Sequence, residues 1–243
     1  MFFVDNLVDK RTYRALVCAL LLCVVGVFSM ALSQNVVYEG PCSTVTRTEG
    51  GDIIQARQYA YNEAGELDSV NETERGNLRA VTRYTYGDQG RLIREEVFNP
   101  SNDLIASTIY SYQDGQLIER SERERDRLRN YVTYVYDSAG RVTREQVYNR
   151  GDDLIQRNEY SYDGNSERVT RIERFDDNDR RTEVIEYFYD DGGNVTLRTR
   201  SNRGGDLVEE REYSYDDGGN VTTVRRRERG DVLVTNYDYS CFQ

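Results

Sequence analysis

Eight pairs of tyrosines recur along this chain at nearly constant spacing, each pair with one residue between its members. They are Tyr59/Tyr61, Tyr84/Tyr86, Tyr110/Tyr112, Tyr134/Tyr136, Tyr160/Tyr162, Tyr187/Tyr189, Tyr213/Tyr215 and Tyr237/Tyr239. Successive pairs lie 24 to 27 residues apart and account for sixteen of the 20 tyrosines. A period of that size marks an array whose unit is one small supersecondary element. Residues i and i+2 share a face in an extended strand and not in a helix. Each pair therefore belongs to a strand.

The residues around each pair complete a hairpin. Asp137-Ser138-Ala139-Gly140 follows Tyr136 with Asp early and Gly late, which suits a type I turn ending in a left-handed glycine and a G1 bulge. Gly87-Asp88-Gln89-Gly90, Asp190-Asp191-Gly192-Gly193 and Asp216-Asp217-Gly218-Gly219 follow the same plan, while Gln113-Asp114-Gly115 reads as a shorter Asp-Gly turn. A second strand leaves at Leu92, Leu117, Val142, Val169, Val195 or Val221. A polar turn such as Asn149-Arg150-Gly151-Asp152 then returns the chain. An apolar residue stands six positions before the first tyrosine at Ile53, Leu78, Leu104, Leu128, Leu154 and Leu207. Six is even, so the spacing predicts that Leu104, Tyr110 and Tyr112 face one way. Mid-strand positions are polar on both faces, and Glu209, Arg211 and Arg225 share no dry interior with Tyr213 on this reading. The expectation is an all-β, antiparallel meander of about 15 strands from hairpin repeats of about 25 residues. It forms a curled single-layer sheet or partial β-shell.

Three units follow along the chain. Lys10, Arg11 and Arg14 precede an apolar run from Ala15 to Ser33, the pattern of a secretory signal or of a membrane anchor if uncleaved. Residues 1–33 form that leader, 34–52 an N-terminal segment and 53–243 the repeat array. The protein is placed as secreted, periplasmic or at the cell surface, touching a membrane only through an uncleaved leader. Beyond the leader stand Cys42 and Cys241, near the two ends. An oxidising compartment permits a disulfide between them, with intermolecular pairing or free thiols as the alternatives. About fifteen strands at about 4.8 Å would make a flat sheet about 70 Å wide, whereas bonded cysteines need Cα atoms within about 7 Å. An intramolecular pair would require the sheet to curl round or a terminal segment to cross it.

Charge narrows the partners. A net charge of -11 argues against nucleic acid, which needs a basic surface. With 37% hydrophobic and 31% charged residues, a thick apolar core is not expected. The polar strands argue against a membrane barrel, whose outer face carries an apolar band.

The motif Tyr-x-Tyr-Asp-x-x-Gly-Arg-Leu/Val resembles the YD repeat of the RHS family. Tyr134–Val142 matches it at every motif position, Tyr84–Leu92 differs only at Gly87, and Tyr187–Val195 and Tyr213–Val221 carry Asn in place of Arg. The resemblance implies a spiralling β-sheet shell, of the kind found in bacterial toxin-delivery proteins and animal cell-surface adhesion proteins. It makes an accessory or shell component of a toxin system an alternative function.

No histidine is present, which excludes a Ser-His-Asp triad and His metal ligation. The carboxylates recur with the repeat, as turns and solvated faces require, and no enzyme activity is expected. Asp190–Asn194 and Asp216–Asn220 offer oxygen ligands to calcium but lack EF-hand spacing, and turn chemistry explains them; no other cofactor is implied. Arg150-Gly151-Asp152 and Arg229-Gly230-Asp231 spell an adhesion tripeptide at positions where a turn needs Gly and Asp. The candidate binding residues are Tyr84, Tyr86, Tyr110, Tyr112, Tyr134, Tyr136, Tyr160, Tyr162, Tyr187, Tyr189, Tyr213 and Tyr215. Their rings, flanked by Arg and Asp, either stack on sugars or form the sheet's packing ladder. The expected function is a non-enzymatic surface, structural or binding module, with a glycan or a cell-surface protein as partner.

Overall fold

The structure, a computed structural model, describes residues 40–87 and 90–240. The leader 1–33, Cys241 and Asp88-Gln89 of one turn lie outside them. Sixteen antiparallel strands follow one another around a closed barrel. They are β1 (Ser43–Thr48), β2 (Ile53–Tyr61), β3 (Leu67–Glu74), β4 (Asn77–Tyr86), β5 (Leu92–Phe98), β6 (Leu104–Gln113), β7 (Gln116–Glu124) and β8 (Arg127–Tyr136). The second half comprises β9 (Val142–Asn149), β10 (Leu154–Tyr162), β11 (Val169–Asp176), β12 (Arg181–Tyr189), β13 (Val195–Asn202), β14 (Leu207–Tyr215), β15 (Val221–Glu228) and β16 (Asp231–Asp238).

The sheet is therefore not an open, curled meander or partial shell. The strand that closes it is β1, from the segment ahead of the first tyrosine pair. β1 pairs with β2 on one side and with β16 on the other, Thr44 opposite Tyr237 and Thr46 opposite Thr235. Seven repeats supply both of their strands in sequence. The eighth, β16, lacks a following strand, and β1 occupies that place. Closure removes the two free edges that an open sheet exposes. It also brings the two ends together: the Cys42 amide donates to the Asp238 carbonyl at 2.6 Å.

The turns form as their residues dictate. Gly140 has φ +80°, and Gly65, Gly90, Gly193 and Gly219 repeat that conformation after four other tyrosine pairs. The Asp137 carboxylate accepts from the amides of Ala139 and Arg141, each at 2.9 Å. Asp114-Gly115 makes the two-residue hairpin turn, with both φ angles positive.

Register shifts near the opposite end change which way the apolar residues point. Ala106 lies opposite Val97, but Leu104 lies opposite Phe98, one residue of β6 being extra. Equivalent shifts set Ile53 opposite Arg47, Leu78 opposite Thr73, Leu128 opposite Arg123, Leu154 opposite Tyr148 and Leu207 opposite Ser201. Residues directly opposite share a face, so each bulge turns its leucine or isoleucine away from the tyrosine face. The even-offset expectation fails for this reason.

The tyrosine face is the inner one. Opposed positions assign to it every buried strand residue except Ser107 and Val184: Val70, Val132, Ile185, Val224, Asn158 and Glu209 are among them. The outward face keeps Leu78, Leu207, Val135 and Phe188 exposed.

Candidate binding surface

Two tyrosine rings line the inside of the barrel, and they do different work. The second tyrosine of every pair donates its hydroxyl proton to a backbone carbonyl of the preceding unit. Tyr86 donates to Leu67, Tyr112 to Leu92, Tyr136 to Leu117, Tyr162 to Val142, Tyr189 to Val169 and Tyr215 to Val195, at 2.6 to 3.0 Å. Tyr239 does the same to Val221 at 3.2 Å, and Tyr61 completes the ring on Pro41 at 2.9 Å. Pro41 directly precedes the β1 region, so the latch runs across the closure as well.

This ring accounts for the whole turn motif. Asp137 caps the turn and holds Arg141, Nε to Oδ2 at 2.8 Å. Arg141 then extends into the next unit. Its guanidinium lies 4.7 Å from the Tyr162 ring centroid and donates to the Gly164 and Ser166 carbonyls at 3.0 and 2.8 Å. Arg91 and Arg168 sit likewise over Tyr112 and Tyr189, at 5.8 and 5.9 Å. Val142, the last motif residue, supplies the carbonyl that Tyr162 caps. Tyr136, Arg141 and Val142 thus join one unit to another, while Asp137 and Gly140 shape the turn itself. Where Asn replaces Arg, Asn194 and Asn220 bond Asp190 and Asp216 at 3.0 and 2.9 Å, but an asparagine side chain is too short to cover the neighbouring tyrosine.

The first tyrosines form a belt one step deeper. Directly opposite them stand Val70 (Tyr59), Glu95 (Tyr84), Arg120 (Tyr110), Glu145 (Tyr134), Ile172 (Tyr160), Arg198 (Tyr187), Val224 (Tyr213) and Thr44 (Tyr237). Tyr110 donates to Glu95 at 2.9 Å. Burial pushes the phenols of Tyr84, Tyr110, Tyr134 and Tyr213 above their ordinary value. Glu95 and Tyr86 are raised for the same reason.

Beside the belt lies a buried ion cluster that the polarity of the strands had hidden. Glu209 and Arg211 are only 3% and 9% exposed, against the expectation that they share no dry interior with Tyr213. Arg225, by contrast, opposes Glu212 and Val234 on the outward face. Glu209 accepts from Arg211 Nε at 3.0 Å and pairs with Arg198; Arg200 is 3.7 Å from it. Burial works against its ionisation, but the charges of Arg211, Arg198 and Arg200 prevail and hold its carboxyl below the usual glutamate range. Sequence alone gives one signal for this cluster: Glu209 and Arg211 stand four and two residues before Tyr213, the parity that shares its face.

Of the sites expected from sequence, the structure brings all twelve candidate tyrosines onto one inner surface. It engages the second member of each pair in the wall itself. The Asp190 and Asp216 carboxylates cap their own turns, and among the described residues no three acidic or cysteine side chains cluster as metal ligands.

A family model described as "Uncharacterised protein" matches residues 40–138. No curated protein matches the chain. Among solved structures, the chain is similar to a porin-like protein from Bacteroides uniformis, with a TM-score of 0.53 at 12% identity over 81% of this chain and 96% of that one. A porin-like protein from Bacteroides vulgatus gives 0.51 at 11% identity, over 82% and 98%. These two likenesses concern the fold, a closed all-β barrel. Part of the Photorhabdus luminescens Tc holotoxin pore aligns with a TM-score of 0.23 over 15% of that chain, too low to support an argument, and the resemblance to the RHS family stays with the turn motif.

Proposed function

We propose that this protein is an exported, non-enzymatic barrel that stands in an aqueous compartment of the envelope or at the cell surface, as a structural or ligand-holding module. The observation that supports this reading is the charge on the outward face. Arg144 pairs there with Glu159 at 3.1 Å, Arg171 with Glu186 at 2.7 Å and Arg227 with Glu212 at 2.8 Å, and Glu173 and Arg225 stand on the same face at the middle of β11 and β15. A membrane barrel carries an outward apolar band about 25 Å tall, and one arginine at the bilayer midplane costs about 2–4 kcal/mol. This barrel resembles porin-like proteins in fold while its wall is built for water on both sides. We also propose that Cys42 bonds Cys241, since closure places the chain just before Cys241 against the start of β1. Export supplies the oxidising compartment such a bond needs.

Fractionation of a secreting host tests the reading. The protein should appear in the periplasm or medium, and residues 34–243 should purify without detergent. Recovery of 34–243 only from detergent-solubilised membranes would overturn it.

The belt favours one ligand class for the holding role. First tyrosines alternating with Glu95, Arg120 and Glu145 offer aromatic faces beside charged hydrogen-bonding groups, the combination that holds sugars. Titration of oligosaccharides against tyrosine fluorescence, with Tyr134→Leu as the variant, reads this directly: loss of the signal change in the variant supports the glycan reading, and an unchanged response refutes it.

A further inference from the structure

The register of β13, β14 and β15 sets three arginines side by side on the inner face. Arg198 lies directly opposite Arg211, and Arg211 directly opposite Arg226. Like charges directly opposite in a ladder destabilise it, and this chain carries a net charge of -11, so the row is not a by-product of a basic composition. Nearby carboxylates serve it unevenly. Glu209 is shared between Arg198 and Arg211. Glu228 is engaged by Arg200 at 2.9 Å and lies 3.8 Å from Arg226, beyond hydrogen-bonding distance. Arg200 itself also holds Glu183 at 2.9 Å. The Arg226 side chain remains 33% exposed.

We infer that this arginine row is an oxyanion site, formed on the inner wall by Arg198, Arg211 and Arg226, for a phosphate or sulfate group. Guanidinium presents five N–H donors in a planar fork that matches such oxygens two at a time. Arg226 is the group a ligand meets first, being the most exposed of the three. Glu209, ionised and buried, holds the other two in place. Neighbouring strands lie about 4.8 Å apart, so the row spans about 10 Å, enough for two anionic groups. The site does not depend on the aqueous-barrel reading above: loss of anion binding would leave that reading intact, and a membrane location would leave the site intact.

Calorimetric titration with sodium sulfate and sodium phosphate, against sodium chloride at matched ionic strength, tests the site on the purified secreted protein. Binding above the chloride control is expected. Arg226→Gln should weaken it about ten-fold or more, the scale of a lost charge-assisted bond, and Arg226→Lys should weaken it less. Glu228→Gln removes a competing carboxylate and should tighten binding, a sign that a merely destabilised variant would not produce. Heats equal to chloride, or Arg226→Gln binding as well as the unchanged protein, would overturn the site. So would Glu228→Gln binding no tighter. Tighter binding of a sulfated disaccharide than of free sulfate identifies a decorated sugar as the source, and equal binding identifies the free ion; both support the site.

Discussion

The hydroxyl of Tyr136 lies 2.7 Å from the carbonyl oxygen of Leu117, and with that contact one repeat is fastened to the one before it. The carbonyl sits where a strand leaves its turn, and Leu117 is itself buried. Removing the donor leaves a shielded acceptor unpaired, which costs about 1–3 kcal/mol. Tyr136→Phe, which keeps the ring, should lower unfolding stability by that amount in a urea titration without changing the slope. An unaltered midpoint would mean that water satisfies the carbonyl and that the ring of latches is incidental.

Gly140 adopts φ +80° in the turn that follows the same tyrosine. A Cβ there would meet nothing closer than Gln116 Nε2 at 3.8 Å, so crowding is not the obstacle. The obstacle is the left-handed backbone, which L-residues other than Asn and Asp adopt at a cost of roughly 1–2 kcal/mol. Gly140→Ala should therefore destabilise by about that much and Gly140→Asn by clearly less. Equal losses in the two variants would point to packing.

β1 closes the barrel, so damage to it should act unlike damage elsewhere. Val45 lies opposite Asn236 on one side and Ala56 on the other. Proline there removes a ladder donor from a strand paired on both edges, a place where proline is not tolerated. Val45→Pro should free the edges of β16 and β2, and free edges pair with other chains. Light scattering should show association rising with concentration in the variant and a monomer in the parent. A monomeric variant that melts like its parent would show that β1 is dispensable.

Much of this architecture was legible in the sequence because its signals are local. Two tyrosines at i and i+2 fix a strand, and Asp137 with Gly140 fixes a turn, without reference to anything distant. The closing strand was not legible, because Thr44-Val45-Thr46 carries no tyrosine pair and takes its place through hydrogen bonds to residues about 190 positions away. The inward turn of Arg198 and Arg226 and the outward turn of the leucines depend on bulges within the strands, whereas Arg211 shares the face of Tyr213 by simple alternation. Glu209 looked like a solvated charge because burial of a carboxylate depends on which arginines the register brings to it.

Glu209 carries the acid dependence of the inner wall. Its carboxyl titrates below the usual glutamate value of 4.5 because three arginines outweigh its burial. A depressed folded-state value stabilises the native protein fully above the unfolded value and is lost as pH falls through the folded one. Breaking a buried ion pair costs about 3–5 kcal/mol. Glu209→Gln should show most of that loss at neutral pH and a flatter stability profile below about pH 4.5 than the parent. Parallel profiles in the two proteins would place the acid response in the half-buried turn carboxylates, among them Asp137 and Asp176, which their hydrogen bonds hold low as well.

At the alkaline end the tyrosine belt sets the limit. Burial raises the phenols of Tyr84, Tyr110 and Tyr134 above their ordinary value of 10. In the unfolded chain the same phenols ionise near that ordinary value. The sign follows: below about pH 10 both states hold the proton and these groups leave stability unchanged. Above it the unfolded chain gains by ionising while the barrel does not, and stability falls as pH rises toward the folded-state values. Each such tyrosine subtracts about 1.4 kcal/mol per pH unit, so three together exhaust the stability of an ordinary domain within a few units. Tyrosinate absorbance should then rise in one cooperative step that coincides with loss of β-sheet dichroism. A smooth titration centred near pH 10 with the dichroism intact would mean that water reaches the belt freely, and that the inner tyrosines are open to a ligand without any rearrangement of the wall.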